Sequence, residues 1–355
     1  MNTNRKKSSF AWKSIFAMMI VAILLAASAC GAKKANDNDE AGAAANTPAS
    51  NAADAPDASN NAEANGNGTA NSGAAGNAAQ ATVYPLTVKD VTGTELTFNA
   101  APERIVTLVP SETEIVYALG AGESVVAVDN YSNYPGEAAD KPKIGDMNAD
   151  IEKIVSLKPD LVLASYTMSQ AVVDKLRSLK LPVYATDPKT YDAVMDKVKQ
   201  IGAILDKTKE SDAVAGHMEE VRKQVVDAVK DAPKPNVYLE FAPGWTVGKG
   251  EFLDELITLA GGTNVATGTG WYEIDPEAVV KANPDDIVYA SMTVNEGEKN
   301  PILAAIESRP GWNVMNAIKN KKVFEVDQDP LTRVGPRLAE GLLEIAAKLH
   351  PDLFK

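Results

Sequence analysis

The stretch "DIEKIVSLKPDLVLAS", from Asp150 to Ser165, returns 125 positions later as "DPEAVVKANPDDIVYAS", from Asp275 to Ser291. A phrase written twice restricts the fold more than any other feature of the chain, because both copies should take the same local structure. Asp150 matches Asp275, Glu152 matches Glu277, Pro159 matches Pro284 and Asp160 matches Asp285. With one extra residue, Val162, Ala164 and Ser165 then match Val288, Ala290 and Ser291. Each copy reads as an Asp N-cap, a short helix with Ile or Val facing inward, a Pro-Asp stop and a buried strand. Pro276 takes the favoured first helical position. The copies look like related halves of one α/β chain.

Strands and helices alternate around both copies. "YPLTVKDVTGTELTF" reads as a hairpin turning near "TG", and "ERIVTLV" as a buried strand. In "PSETEIVYALGAG", Ser111 and Glu114 have capping-box spacing and Gly120 supplies a C-terminal stop. The strand "SVVAV", the first copy, the helix "SQAVVDKLRSL" and the strand "LPVYAT" complete one lobe. A second opens with "NVYLEF" and runs through the helix "EFLDELITLAGG", the second copy, a helix near "LAAIES", the strand "KVFEV" and a closing helix from about Pro336 to Leu349. Alternation with short connections predicts two mostly parallel sheets, each covered by helices.

Between the lobes, Val194, Val198, Ile201 and Leu205, then Val214, Met218, Val221 and Val225, follow spacings of four, three and four. This stripe predicts one connecting helix over 191–231, about 40 residues and roughly 60 Å long, or two helices broken near "DKTKESD". The N-terminal lobe then covers 83–190 and the C-terminal lobe 232–355.

Ahead of the lobes, Arg5, Lys6, Lys7 and Lys13 precede the uncharged run "IFAMMIVAILLAASA", the layout of an export signal over 1–30. It ends at Cys30, the only cysteine, so an internal disulfide is excluded. "LLAASACGA" resembles a bacterial lipoprotein signal, in which that cysteine becomes the lipid-bearing first residue, although Ala27 stands where such signals usually carry Leu. Ala27 and Ala29 also satisfy ordinary signal cleavage, which leaves Cys30 free. From 31 to 82 the composition is dominated by Ala, Asn, Gly, Asp and Ser, too poor in large apolar groups to offset ordering entropy. We read it as a disordered tether with a root-mean-square reach of roughly 40 Å.

The net charge of −13, with no basic run after the signal, argues against nucleic acid and against electrostatic adhesion to anionic lipid. Membrane contact is expected to be covalent, through a lipid at the outer face of the cell membrane. Enzyme signatures are weak. The GxG of "LGAGESVVAV" follows a helix and precedes a strand, the reverse of the dinucleotide-binding order. His217 and His350 fall in predicted helices, facing solvent, and build no metal site with Cys30 committed to lipid. No catalytic residue, metal or cofactor is expected; an exported hydrolase is the remote alternative.

From "ERIVTLVPSETEIVYALGAG" through "VVAVDNYSNYP", the first copy, the connecting stripe and "RPGWNVMNAIKNKKVFEVD", the chain resembles the vitamin B12, siderophore and haem class of ABC-transporter substrate-binding proteins. The match runs from about Leu86 to Phe354. "PSETE", "YSNYP" and "GWYEIDPE" look closest to the cobalamin-binding members. The resemblance implies two Rossmann-like α/β lobes joined by a long rigid backbone helix, the class III periplasmic-binding-protein fold. It implies a monomer that holds a small molecule between its lobes and docks on a permease dimer with ATPase subunits. Glu152 and Glu277 match the docking glutamates of that class. As first-turn carboxylates they also favour the helix dipole by about 0.3–1 kcal/mol.

By the same resemblance Tyr131, Trp245, Trp271, Tyr166, Asp329 and Arg333 match cleft positions. A large flat ligand suits exposed rings with a few fixed polar groups; core packing of the rings and a local Asp329–Arg333 pair are the plainer alternatives. Two departures stand out: "GDMNADIE" offers only Met147 where some relatives carry Trp, and Ser165 with Tyr166 follow the "PDLV" strand. Ferric siderophores and haem are the alternative ligands. Only Arg333, with Arg104 and Arg309 as further candidates, is available to meet anions.

Overall fold

Every residue from Leu161 to Ala164 is apolar, which suits a strand covered on both faces. The computed structural model, which describes residues 81–355, buries it on both. The signal, Cys30 and the tether up to residue 80 lie outside the described residues. Strands β1 (Leu86–Lys89) and β2 (Glu95–Phe98) form the expected antiparallel hairpin. Strands β3 (Ile105–Thr107), β4 (Val125–Val128), β5 (Leu161–Ser165) and β6 (Val183–Thr186) form a parallel sheet in the order β4-β3-β5-β6.

Alternate residues sort the helices onto that sheet. Ile105, Leu161 and Leu163 face a core shared with α1 (Pro110–Ala118). After the short α2 (Gly136–Ala139), α3 (Ile151–Ser156) and α4 (Tyr166–Ser178) cover the other face, where Val106, Val162 and Ala164 meet Ile154, Val173 and Leu176.

The connecting helix expected over 191–231 is two helices, α5 (Tyr191–Ile204) and α6 (Thr208–Val229). The break falls in "DKTKESD", as the alternative reading had it. Asp206 takes a left-handed φ of 54°, and the Lys207 N–H closes back on the Gly202 carbonyl at 2.7 Å. These polar residues have no apolar group to bury, so a turn there leaves the stripe intact on both sides. Helix α5 begins in the C-terminal core with Tyr191 and Val194 and ends in the N-terminal core with Val198, Ile201 and Ile204. Helix α6 runs the other way, from Val214 against the N-terminal core to Met218 and Val225 in the C-terminal one.

The two helices touch where Gly202 faces Ser211; a Cβ on Gly202 would lie 2.3 Å from the Ser211 side chain. Gly202→Ala should therefore force α6 outward and cost about 1–3 kcal/mol, read as a fall of roughly 5 °C in melting temperature. An unchanged melting curve would show that the contact relaxes freely. Thr82, counted with the tether in the sequence, is already anchored on this turn, its N–H donating to Asp206 at 2.7 Å and its hydroxyl to the Ala203 carbonyl at 2.9 Å.

In the second lobe β7 (Asn236–Glu240), β9 (Thr263–Asn264), β11 (Asp286–Ala290) and β12 (Val323–Val326) form a parallel sheet ordered β12-β11-β7-β9. Between them, β8 (Trp245–Val247) pairs antiparallel with β10 (Trp271–Glu273). Its helices are α7 (Phe252–Leu259), α8 (Pro276–Ala282), α9 (Pro301–Ser308), α10 (Asn316–Lys319), α11 (Gln328–Thr332) and α12 (Leu338–Leu349). The last starts two residues later than the sequence suggests. His350, expected to face solvent, is buried, because the chain leaves α12 and tucks the imidazole against Gly261, where a Cβ would come within 2.8 Å of Nε2.

Both sheets share one topology. In each lobe the first strand lies between the second and third, with the fourth outside the third. The duplicated phrase supplies the third strand, β5 or β11, and the helix before it. Its Pro-Asp stop is a clasp. Asp160 accepts from the Glu103 and Arg104 N–H groups at 2.9 and 2.8 Å, and Asp285 accepts from the Asn236 N–H at 3.0 Å. Lys158 and Asn283, also 125 apart, end the two helices with left-handed φ of 49° and 47°.

Candidate functional site

Ligands of open α/β sheets bind at the carboxyl ends of the strands, where the strand order reverses. In both lobes that place is the first strand, β3 or β7. The segment after β4, "DNYSNYP", is held there by a buried polar chain. Asp129 accepts from the Ser132 hydroxyl and from the Tyr131 N–H at 2.8 Å. The Ser132 hydroxyl lies 2.7 Å from that of Thr113, which lies 2.6 Å from that of Thr107. Lys143 Nζ caps the Ser132 carbonyl at 2.7 Å. Burial pushes the Asp129 carboxyl above the usual range, against the pull of its hydrogen bonds to Ser132 and Tyr131. The loop is thus fixed from beneath, and Tyr131 and Tyr134 stand out of it 44% and 49% exposed.

The C-terminal lobe reaches this loop with two arginines. Arg333 Nη1 donates to Glu114 Oε1 at 2.7 Å and to Asn133 Oδ1 at 2.8 Å, and Nη2 lies 3.5 Å from the Tyr131 carbonyl oxygen. Arg337 grips both oxygens of Glu114, at 2.9 and 2.6 Å, and its guanidinium lies 4.2 Å from the centre of the Tyr134 ring. Asp329 pairs with Arg333 at 2.8 Å. The structure therefore brings Tyr131, Asp329 and Arg333 together, and adds Glu114, Asn133, Tyr134 and Arg337, which the sequence reading did not assign to the site. Two carboxylates and two guanidiniums leave the cluster with no net charge.

Glu114 is not half of a capping box. Helix α1 starts at Pro110, its N-cap Val109 has no polar side chain to cap it, and the Ser111 hydroxyl donates to Glu112 instead. Proline removes one amide that needs a cap, and two guanidiniums are stronger partners for Glu114 than a backbone N–H. The neighbouring Glu112 is also neutralised, by Lys197 at 3.2 Å, and accepts from Thr186 at 2.5 Å.

The expected tryptophans lie on the β8–β10 pair. Trp245 is buried on β8, opposite Glu273 of β10. Trp271 is half-buried and packs edge-on against Phe241, 4.7 Å between ring centres. Tyr166, half-buried, follows the carboxyl end of β5, and its hydroxyl accepts from Gln170 at 3.0 Å. The other candidate arginines are engaged or distant. Arg309 is bidentate to buried Glu240 at 2.6 and 2.5 Å, and Arg104 donates to the Leu157 carbonyl at the opposite end of the sheet.

Glu152 and Glu277 occupy equivalent corners. Helix α3 begins near the carboxyl end of β4, through Asp150 N–H to Ile144 and Ile144 N–H to Val128, and ends beside Arg104 at the start of β3. Helix α8 begins near the carboxyl end of β7, through Ile274 N–H to Gly244, and its segment ends at Asn236, the first residue of β7. Each glutamate therefore stands in the first turn at the cleft-bearing end of its lobe. Both are exposed, and among the described residues neither carboxylate has a hydrogen-bond or ion-pair partner. A groove of about 670 Å³ lined by Tyr272, Asp275 and Lys281 borders α8. Another of about 720 Å³ lies between the hairpin and Pro182, away from the cleft.

Residues 105–330 match the model of the periplasmic binding protein family. An uncharacterized ABC transporter substrate-binding lipoprotein of Bacillus subtilis is 37% identical over 77% of this chain and 88% of its own length. A cobalamin-binding protein of Halobacterium salinarum is 28% identical over 77% of this chain and 76% of its own. Among solved structures, a possible iron-binding periplasmic solute-binding protein from Staphylococcus epidermidis superposes with a TM-score of 0.61 at 29% identity, covering 70% of this chain and 99% of that one.

Proposed function

The chain belongs to the periplasmic binding protein family, and from that membership we propose that it captures cobalamin between its lobes and delivers it to an ABC importer. The class follows from the family. This is a substrate-binding protein of an ABC transporter of the B12, haem and siderophore class, with a binding role and no enzymatic one. Such proteins carry a small molecule to permease and ATPase components.

One observation carries the choice of cobalamin: the arginines at the cleft, Arg309, Arg333 and Arg337, are each engaged by an internal carboxylate. Haem and many ferric siderophores present carboxylates or other anionic groups that ask for free guanidiniums. Cyanocobalamin carries no net charge and offers a broad corrin bordered by amides. Tyr131 and Tyr134 give it ring surface, with Asn133 beside them as a polar contact. The name of the Halobacterium relative agrees with this choice, and that of the Staphylococcus structure favours an iron ligand instead.

Titration of the purified chain with cyanocobalamin, a ferric hydroxamate and haem separates these readings. We expect saturable binding of cyanocobalamin at about micromolar Kd or tighter, near −8 kcal/mol. Haem binding without cyanocobalamin binding would remove the ligand and leave the transport class standing.

Docking is assigned to Glu152 and Glu277, one carboxylate from each lobe, facing a dimeric permease whose symmetry their equivalence matches. Cys30 supplies the lipid that holds a monomeric protein at the outer face of the cell membrane. That reading is supported by the sequence around Cys30 and by the Bacillus relative being named a lipoprotein.

A further inference from the structure

We infer that Glu114 is a charge filter: by occupying Arg333 and Arg337 it withholds both guanidiniums from anionic ligands and so sets the ligand class that the cleft accepts. The inference rests on the reading that this cleft is the ligand site.

The geometry is more than a strap between lobes requires. Glu114 comes from the N-terminal lobe with its side chain 2% exposed, and both arginines come from the C-terminal lobe, 11% and 18% exposed. One carboxylate thus takes two arginines, and Asp329 takes the remaining reach of Arg333. Both guanidiniums lie at the aromatic loop, Arg337 over the Tyr134 ring and Arg333 beside the Tyr131 carbonyl. A ligand carboxylate arriving there meets arginines already neutralised. To pair with them it must displace Glu114, which is buried against both arginines and cannot turn out to water without losing three charge-assisted hydrogen bonds. A ligand without net charge faces no such competition. The specificity therefore comes from a group that need not touch the ligand at all.

The test compares the full chain with the variants Glu114→Gln and Asp329→Asn, titrated with hemin, with hemin dimethyl ester and with cyanocobalamin. Glu114→Gln should bind hemin about tenfold more tightly than the wild type, because one positive charge is released beside the rings. The gain should vanish with the dimethyl ester, which has the same rings and no carboxylate. A hemin gain below about threefold, or an equal gain with the ester, overturns the filter. If Glu114→Gln loses its folded circular-dichroism spectrum, Asp329→Asn decides by the same limits, since it releases a charge from a more exposed position, 34% accessible. Failure of the wild type to bind cyanocobalamin would end the cobalamin reading alone; the hemin comparison between variant and wild type judges the filter independently.

Discussion

Replacing Glu152 and Glu277 together by alanine is expected to lower cellular uptake of labelled cyanocobalamin by about 100-fold or more while leaving its affinity for the purified protein unchanged. A hydrogen bond to a charged partner is worth about 1.5–3 kcal/mol, so two of them amount to at least two powers of ten in docking affinity. The glutamates lie in different lobes and share no partner, so each single variant should account for about half of the free energy. Folding should barely notice. Both side chains are exposed and unpartnered among the described residues, and the loss to the helix dipole is about 0.3–1 kcal/mol each. Uptake assays beside ligand titration decide it: parallel loss of uptake and affinity would place these residues in ligand binding instead.

Glu114→Ala should be the most destabilising single change in the cleft, at about 3–5 kcal/mol, because it leaves two partly buried guanidiniums with Asp329 alone to balance them. The melting temperature should fall by roughly 10 °C. The sign of a second experiment is less obvious. Replacing the cluster's three most buried members with apolar residues, Glu114→Leu with Arg333→Met and Arg337→Met, should restore most of the lost stability, since the one charge then left without a partner, Asp329, is 34% accessible and can turn to water. If the triple variant melts below Glu114→Ala, the salt-bridge cluster itself holds the lobes, and desolvation of the stranded arginines does not explain the loss.

What the chain discloses about itself follows the range of the interactions involved. The duplicated phrase is local, and it located the third strand of each sheet, the helix before it and the Pro-Asp clasp. Glu114 went unrecognised because Ser111 and Glu114 have the spacing of a cap, while the partners that claim Glu114 lie 219 and 223 positions away. No local pattern carries that information. Arg337 could have been noticed, four residues after Arg333 on the same stretch. Trp245 and Trp271 match cleft rings by resemblance alone; the three-residue strands that pair them are too short to show an alternation in the sequence. The stripe from Val194 to Val225 fits either one helix or two by its spacing alone, and the structure builds two, with the polar run between them turning the chain.

That doubled crossing has a consequence for how the molecule comes apart. Helix α5 begins in one core and ends in the other, and α6 retraces the path. Neither lobe owns a complete core, so a cut near residue 190 or near residue 231 yields one fragment missing a wall and another with an apolar stripe open to water. The lobes are two in topology and one in cooperativity: folding intermediates with a single finished lobe are disfavoured, and heat should melt residues 83–355 in one transition.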